Sequence, residues 1–490
     1  GGEPASRMLD PSQARLALFE DVVDALRDIA GPGAPLALLF EDLHAADPSS
    51  LSLVQFLARD VGDAPIFVLG TYRDQELRAQ PDRGEAVQRL AREAVYLPLR
   101  RFGPPEIREM VERHTGVPVE DSVLARVLET TDGNALFVEE VARAIAAGET
   151  ASGALPTGVR DAIAQRLRRL DAEAHEVLAA GSVLGREISA EVLAGALDRD
   201  ETSIRAVLER AEGAGLLHAV APEGHAFSHV LVRDVLYREL APARRAELHA
   251  RVADVLSGSR APERAAAEIA AHLLDARDAV GPDRALRGSV DAARRAASAF
   301  AFEDAIAIVD RALSILDASS VDPRLRAEAL VIMGEARMHV GETDAGRGAC
   351  VEAAALARAL GDPTLLAAAA LACGAEIAVA HVDGTLLGLL RQAEGALPET
   401  ALALRARVLA RLAGAEQPAL DPSGPMARAR EAIALARRSG DPFTLRMALH
   451  FGGSALVDYA DPDERVALAT EMRDLALGAS DTPSAFRAYL

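Results

Sequence analysis

The spacing of hydrophobic residues near the N-terminus predicts an alternation of helices and strands. Residues 11–30 repeat their apolar positions with a helical period, and the segments PSSLSLVQFLARDV and RGEAVQRLARE do the same. Two short apolar runs, LALLF and IFVLG, separate these helices and are bounded by turn residues, which is typical of buried parallel strands. A further short strand, AVYLPL, follows the last helix. This alternation predicts an α/β domain over residues 1–100.

The hydrophobic pattern becomes helical beyond residue 100. Residues 101–150 predict two or three helices broken by Gly and Pro. Residues 151–240 combine short helices with one strand-and-turn stretch, GLLHAVAPEGHAFSH, which favours a winged-helix-like domain. Residues 241–490 consist almost wholly of Ala/Leu/Arg-rich helices joined by short Gly, Asp and Pro turns. The predicted fold class is therefore predominantly α.

The last of these regions shows an internal repeat. The stretch LARALGDPTLLAAAAL at residues 356–371 aligns with LARRSGDPFTLRMALH at residues 435–450, and ALPETALALRARVLAR lies about midway. A spacing of roughly 40 residues per helix pair is in the range of TPR-like and HEAT-like arrays. Because each pair buries its small-residue face on the next pair, we predict a TPR-like α-solenoid over residues 241–490.

Composition and charge narrow the class of protein. The net charge of −21 argues against nucleic-acid binding by this chain itself, because phosphate binding needs a basic surface. The sequence has neither the apolar run of about 18 residues that a transmembrane helix requires nor the pattern of a signal peptide. Its two cysteines, Cys350 and Cys373, lie in Ala-rich helical segments without a CxxC partner. We therefore predict a cytoplasmic protein with no membrane partner.

Two carboxylates follow the first predicted strand. In LALLFEDLHAAD, Glu41 and Asp42 come directly after the apolar run, and ligands of open α/β folds bind at this carboxyl edge of the sheet. In P-loop ATPases such acids hold Mg²⁺ and orient the attacking water. One alternative is a strand that runs into a solvated acidic turn. Another is a metal site of His44 with Glu41 and Asp47, although no second His or Cys lies at ligand spacing.

An arginine follows the neighbouring strand. In IFVLGTYRD, Arg73 comes three residues after the apolar run, so we expect it at the same edge of the sheet. A guanidinium there can sense a γ-phosphate, because its fork matches phosphate oxygens. The alternative is an ion pair between Arg73 and Glu41 or Asp42.

The sequence contains no lysine, so all 53 of its Lys and Arg residues are arginine. Such a bias fits a GC-rich genome. It nevertheless excludes a GxxxxGK[ST] phosphate-binding loop, a Schiff-base lysine and a lysine general base.

Several motifs, taken in order, resemble one family. The stretch LLFEDLHAADPSSLSLVQFLAR followed by FVLGTYRDQEL is similar to the STAND class of signalling ATPases, and most of all to the large LuxR-type (MalT-like) transcriptional regulators. TDGNALFVEEVARAI resembles their lid, and FSHVLVRDVLYREL carries the Phe227, His229, Arg233 and Tyr237 pattern of their winged-helix region. The resemblance covers essentially the whole chain. It implies a partial P-loop NTPase domain, a helical lid, a winged-helix-like module and a solenoid.

The resemblance also implies roles for individual residues and names ATP and Mg²⁺ as cofactors. Glu41 and Asp42 would be the Walker B acids that hold the metal, and Asp42 would orient the attacking water. Arg73 would be the sensor arginine. Gly133 and Asn134 match the lid motif that binds the nucleotide, but the next residue is Ala where the family commonly has Pro.

The missing phosphate-binding loop limits these expectations. Since that loop precedes the Walker B strand in the family, we expect that it was removed before Gly1 and that this fragment does not hydrolyse ATP. The resemblance further implies an inducer or partner protein on the repeats, homo-oligomers on activation, and DNA binding through a helix-turn-helix beyond Leu490. Two alternatives remain: the same module fused to a nucleotide cyclase or protein kinase, and a non-catalytic protein-binding scaffold.

Overall fold

The computed structural model is predominantly α-helical, as the sequence predicts. It divides into two compact units, one of Gly1–Val95 with Pro282–Leu490 and the other of Tyr96–Gly281. The residues that the structure describes are 11–31, 33–62, 64–73, 77, 81–146, 167, 170–220, 224–228, 230–375 and 382–478.

The first unit begins with an α/β segment. Its strands pair in parallel and in register, from Leu36 opposite Ile66 to Phe40 opposite Gly70. The helix between them provides the crossover that a parallel pair needs. That helix begins at Pro48, and the side chain of the preceding Asp47 accepts the Ser50 amide proton as its N-cap. The elements are α1 (Pro11–Ile29), β1 (Leu36–Phe40), α2 (Pro48–Asp60), β2 (Ile66–Gly70) and α3 (Pro81–Glu93).

Two expectations for this segment were wrong. Both strands were predicted to be buried, yet alternate residues face solvent, with Leu39 64% and Phe67 63% exposed. The reason is that this sheet has two strands and, among the described residues, no layer covers that face. The stretch AVYLPL was predicted as a strand, but residues 94–99 form none, and Val95 is exposed.

The second unit combines a helical part with a winged-helix arrangement. A three-stranded antiparallel sheet of order β3-β5-β4 packs with three helices. Its core includes Leu178, Leu193, Leu208 and Phe227, which are fully buried. The elements are α4 (Pro104–Thr115), α5 (Asp121–Thr131), α6 (Ala135–Ala146), α7 (Ala172–Leu184), β3 (Glu187–Ile188), α8 (Ala190–Leu197), α9 (Glu201–Gly213), β4 (Leu217–Val220), β5 (Gly224–Phe227), α10 (Val230–Glu239), α11 (Pro242–Ser257), α12 (Ala266–Asp275) and α13 (Arg277–Val280).

The rest of the first unit is an array of helix pairs. The first helices of successive pairs pack side by side, so that α14, α16, α18, α20 and α22 form one row. We call this set the first-helix row. The elements are α14 (Pro282–Ser298), α15 (Phe302–Ile315), α16 (Pro323–His339), α17 (Thr343–Leu360), α18 (Pro363–Cys373), α19 (Gly384–Ala396), α20 (Leu402–Ala415), α21 (Ser423–Ser439), α22 (Pro442–Leu456) and α23 (Pro462–Gly478).

The sequence repeat corresponds to two equivalent junctions in this array. In each copy a helix ends at a glycine in the left-handed conformation, Gly361 or Gly440, with φ of 64° or 70°. The next residue, Asp362 or Asp441, caps the following helix by accepting backbone amide protons. Glycine meets the left-handed requirement at low cost, and aspartate supplies the cap, so the GDP motif marks each turn.

Candidate functional site

The predicted acids lie at the carboxyl edge of the parallel strand pair. Glu41 and Asp42 follow β1 directly, and Thr71 follows β2. The amide of Asp42 donates to Thr71 Oγ1 at 3.1 Å, and the amide of Leu43 donates to the Thr71 carbonyl at 2.8 Å. These bonds tie the acidic turn to the end of the neighbouring strand.

Asp42 adopts an uncommon backbone conformation. Its φ is 54°, in the left-handed region that aspartate enters more readily than most residues. Its carbonyl accepts the Ala45 amide proton at 2.7 Å, which holds the turn. The Asp42 side chain is 48% exposed, and Glu41 is also exposed. Both carboxylates are therefore accessible at the edge of the sheet.

Arg73 lies on the same edge, beyond the end of β2, and is exposed. Two acids and a guanidinium at one edge fit a hydrated divalent cation that is bound to a polyphosphate. Among the described residues, no group of three or more His, Cys, Asp and Glu is placed to hold a metal by protein ligands alone. A cation here would need water or phosphate oxygens as further ligands.

His44 does not extend this site. Its side chain is buried, and its Nδ1 lies 3.9 Å from Asp42 Oδ1. Asp47, the third member of the metal site considered above, is engaged as the N-cap of α2.

The acidic turn is connected to the helix array through Asp47. On α15, Glu303 pairs with Arg15 of α1 at 2.6 Å and accepts the Ser49 hydroxyl at 3.4 Å. The carboxyl group of the neighbouring Asp304 lies next to that of Asp47, close enough for the two to share a proton. The helix that begins at the acidic turn is thus joined to the first helix pair of the array.

Such a carboxyl pair requires a proton. Burial, together with the nearby negative charge of Asp47, raises the pKa of Asp304 to about 7. Burial acts in the same sense on Asp47, but hydrogen bonds from Ser50 and Asp304 outweigh it and lower the pKa of Asp47. Asp304 is therefore the member of the pair that holds the proton.

Gly133 and Asn134, the predicted lid residues, lie in the other compact unit, between α5 and α6. Gly133 has a φ of 66°, and a Cβ placed there would lie 2.2 Å from the Phe102 carbonyl oxygen. Its own carbonyl accepts the Phe102 amide proton at 2.7 Å. The amide of Asn134 donates to the Thr131 carbonyl at 3.0 Å. The close approach of the Phe102 backbone therefore explains why position 133 is a glycine, without any contribution from a nucleotide.

The other motif residues have structural roles where they are described. Phe227 is buried in the winged-helix core. Arg233 Nε donates to the Ser182 carbonyl at 3.0 Å, and the Tyr237 hydroxyl lies 3.0 Å from His249 Nε2. His229 lies outside the described residues.

Two contacts of the candidate site were not foreseen from the sequence. Thr71 lies inside the quoted motif, but its spacing from Asp42 carries no signal of a hydrogen bond. Asp304 follows the acidic turn by more than 250 residues, as its number shows. No local pattern identifies it as the partner of Asp47.

No family model matches the sequence, and no curated protein matches it. Among solved structures, the chain is similar to a signal transduction ATPase with numerous domains (STAND) that has a tetratricopeptide repeat sensor, from Pyrococcus horikoshii. The two are 14% identical over 96% of this chain and 72% of that chain, with a TM-score of 0.37.

Within the described ranges, no helix is both long and apolar enough to cross a bilayer.

Proposed function

We propose that this chain is the central part of an ATP-dependent, signal-transducing regulator of the LuxR type, within the STAND class. The observation that supports this most directly is the carboxyl edge of β1 and β2. There Glu41, Asp42 and Arg73 follow two strands that pair in register, and Thr71 fixes the turn that carries the acids. Ligands of open α/β folds bind at this edge.

Each residue at the edge has a distinct role in the proposal. Glu41 and Asp42 would hold a hydrated Mg²⁺, and Asp42 would orient the attacking water. Arg73 would contact the terminal phosphate through its fork of N–H donors. Mg²⁺–ATP, when bound, would supply the phosphoanhydride bond that water cleaves, with ADP as the leaving group. Gly133 and Asn134 are proposed as nucleotide-binding residues of the lid segment.

The phosphate-binding loop is proposed to lie outside this sequence. A chain without lysine cannot contain GxxxxGK[ST], so the present residues lack the charge and the amide cradle that hold the β- and γ-phosphates. The exposed face of the sheet, with Leu39 and Phe67, suits a further layer of the same domain. We therefore expect this chain by itself neither to bind ATP tightly nor to hydrolyse it.

The array of helix pairs is proposed to be the sensor. An inducer or partner protein binds there and, with ATP, shifts the protein between closed and open states, of which the open state forms homo-oligomers. ATP favours that state only if it binds it better than the closed state. A helix-turn-helix outside this chain reads DNA, and the protein acts in the cytoplasm.

The coding DNA on both sides of the segment tests this proposal first. We expect a GxxxxGK[ST] motif upstream and a helix-turn-helix downstream. In the longer polypeptide, Asp42→Asn should lower the ATPase kcat by about 100-fold, as is usual when a group that assists proton transfer is lost. Asp28→Asn, an exposed acid of α1, is the matched control.

Two results would count against the proposal. Unchanged turnover in the Asp42→Asn variant would remove Asp42 from the reaction. ATP turnover by the 490-residue chain that Asp42→Ala abolishes would contradict the expectation that this chain is inactive.

The absence of lysine also favours a second candidate, a non-catalytic protein-binding scaffold that uses the helix array. A natural chain with no phosphate-binding loop would support it. An upstream nucleotide cyclase or protein kinase domain would support the fusion instead.

A further inference from the structure

Arginines of the helix array typically pair with acids on neighbouring helices. The guanidinium groups lie toward the surface, and their charges are balanced by carboxylates within 3.1 Å. Such pairs join successive helices without leaving a charge uncompensated. Examples are Arg326–Glu352, Arg337–Asp310, Arg347–Asp383, Arg430–Glu464 and Arg437–Glu471.

Arg407 of α20 departs from this pattern. Its Nε is buried and has no hydrogen-bond partner, while the residue as a whole keeps partial contact with solvent. Its guanidinium carbon lies 5.2 Å from the ring centroid of Phe443 on α22. Within the part of the chain that the structure describes, no acid forms an ion pair with it. An aromatic ring, rather than a carboxylate, therefore positions this cation.

A second arginine lies one helical turn away on α20. Arg411 is 4% exposed, and its Nε donates to the Gly374 carbonyl at 2.6 Å. Its guanidinium carbon lies 5.2 Å from the Phe451 ring centroid. A Cβ on Gly374 would approach Arg411 Nε to 2.8 Å, so glycine is needed for this contact. Residues four apart share a helix face, so α20 presents two ring-stacked guanidinium groups together.

The acids near Arg407 act on it only at a distance. Burial lowers the pKa of Arg407, and the charges of Glu335 and Asp441 oppose that shift. The Asp441 carboxylate already accepts the Thr444 amide and hydroxyl protons as the N-cap of α22. Glu335 is an exposed residue of α16. Neither acid supplies the direct hydrogen bonds that a buried guanidinium ordinarily receives.

This arrangement is costly unless it serves binding. A half-buried guanidinium whose buried Nε has no hydrogen-bond partner loses solvation that nothing in the fold replaces. A guanidinium held over an aromatic ring can, however, receive a planar or tetrahedral oxyanion in its fork of donors. A site of this kind gains affinity because little ordering is left to do on binding.

We propose that Arg407 is the recognition residue of an oxyanion site on the first-helix row, which takes the carboxylate or phosphate group of a small ligand. Phe443 positions the guanidinium, and Arg411 adds positive potential. Glu335 and Asp441 disfavour ligands with several negative charges. The site deepens the sensor role proposed above by naming the chemistry of what the array senses. It requires no nucleotide.

Titrating the purified 490-residue chain with simple anions tests this site directly. Acetate serves as the carboxylate probe and inorganic phosphate as the phosphate probe, each followed by ligand-observed NMR at constant ionic strength. We expect saturable binding of one of the two, which identifies the source of the oxyanion. Arg407→Met should weaken it about tenfold or more, the value of a charge-assisted hydrogen bond. Arg437→Met, which removes a surface ion pair, should bind as the unchanged chain does.

A measurement of stability distinguishes a binding role of Arg407 from a structural one. Because Arg407 is buried without an acid partner, Arg407→Met should leave the urea midpoint unchanged or raise it. A clear fall in that midpoint, or failure to fold, would mean that the guanidinium is structural and would overturn the proposal. So would the absence of saturable binding of either anion, or binding by Arg407→Met at the original affinity.

Arg407→Lys provides a second variant that keeps the charge but loses the fork. We expect it to fold and to bind the anion about tenfold more weakly, because an ammonium group cannot make the paired contact. Full affinity in this variant would overturn the proposal that the paired N–H donors of Arg407 bind the anion. Since the titration contains no nucleotide, failure of the ATP proposal would leave its result unaffected.

Discussion

The two β-sheets of this chain differ sharply in how they are supported. In the winged-helix region, β3, β4 and β5 pack with helices, and Ile188 and Phe227 are each 1% exposed. In the α/β segment, β1 and β2 leave Leu39 and Phe67 largely in solvent. Both sheets are built of short strands, so strand length is not the cause. The difference is that helices cover a face of the antiparallel sheet, whereas one face of the β1–β2 pair is left exposed by the described residues.

This difference bears on where the candidate site lies. An antiparallel sheet with one covered face can close its own core, whereas parallel strands are usually covered on both faces. The acids and Arg73 follow the strands that have the least support from the described residues. Regions with few buried apolar contacts open most easily, and elements that move in signalling are drawn from them. The site is therefore expected to depend on additional structure for its rigidity.

The largest expected effect comes from replacing one phenylalanine in each sheet. Phe227→Ala should destabilise the winged-helix region by about 3–5 kcal/mol, because it leaves a cavity in a closed core. Phe67→Ala should change stability by no more than about 0.5 kcal/mol, because its ring is mostly solvated. Hydrogen exchange followed by mass spectrometry reads each region separately. Comparable losses at both positions would show that the face around Phe67 is covered in solution.

Much of the fold follows from local pattern. The apolar runs LALLF and IFVLG locate both parallel strands, and the alternation with helices predicts their parallel pairing. The GDP turns locate equivalent helix junctions in the array, because glycine and the capping aspartate act within a few residues. The placement of Glu41 and Asp42 at the strand ends follows for the same reason. Features that depend on residues close together in the sequence can therefore be predicted from it.

Features that depend on distant partners were not predicted. A short apolar run has the same sequence pattern whether one or both faces of its sheet are covered. The exposure of Leu39 and Phe67 therefore could not be predicted. The stretch AVYLPL has the composition of a strand but, among the described residues, no strand pairs with it. The contact of Asp304 with Asp47 and the stacking of Arg407 both arise from tertiary packing. Their residues carry no periodic or motif signal.

A second pair of variants tests how tightly the other unit holds its predicted lid turn. Gly133 and Gly116 both have left-handed φ values, 66° and 70°, but a Cβ meets the Phe102 carbonyl oxygen only at Gly133. Gly116→Ala should cost about 1–2 kcal/mol for the conformation alone. Gly133→Ala should cost about 1–3 kcal/mol more, because the backbone must also shift. Equal losses in urea denaturation would mean that the contact with Phe102 yields easily.

The smallest expected effect concerns the link between the α/β segment and the array. The pKa of Asp304 in the folded protein is about 7, above its ordinary value of 3.8. Between about pH 4 and pH 7 the folded chain therefore holds a proton that the unfolded chain has released. Protonated Asp304 therefore adds its full contribution to the free energy of unfolding below about pH 4. This contribution falls as the pH rises from about 4 to about 7 and is lost above about pH 7. The effect should be modest, since solvent partly screens the site.

Hydrogen exchange in α2, corrected for its intrinsic pH dependence, measures this loss between pH 5.5 and pH 8. The lowered pKa of Asp47 keeps that residue ionised over this range, so it adds no slope. Asp304→Asn keeps a hydrogen-bond donor for Asp47 without a titrating proton, and its α2 should stay protected throughout. Asp310→Asn, on the same helix and paired with Arg337, should lose protection as the unchanged chain does. If Asp304→Asn were as pH-dependent as the unchanged chain, the carboxyl pair would not be the link. The weakly supported sheet would then be held to the array by the Arg15–Glu303 ion pair instead.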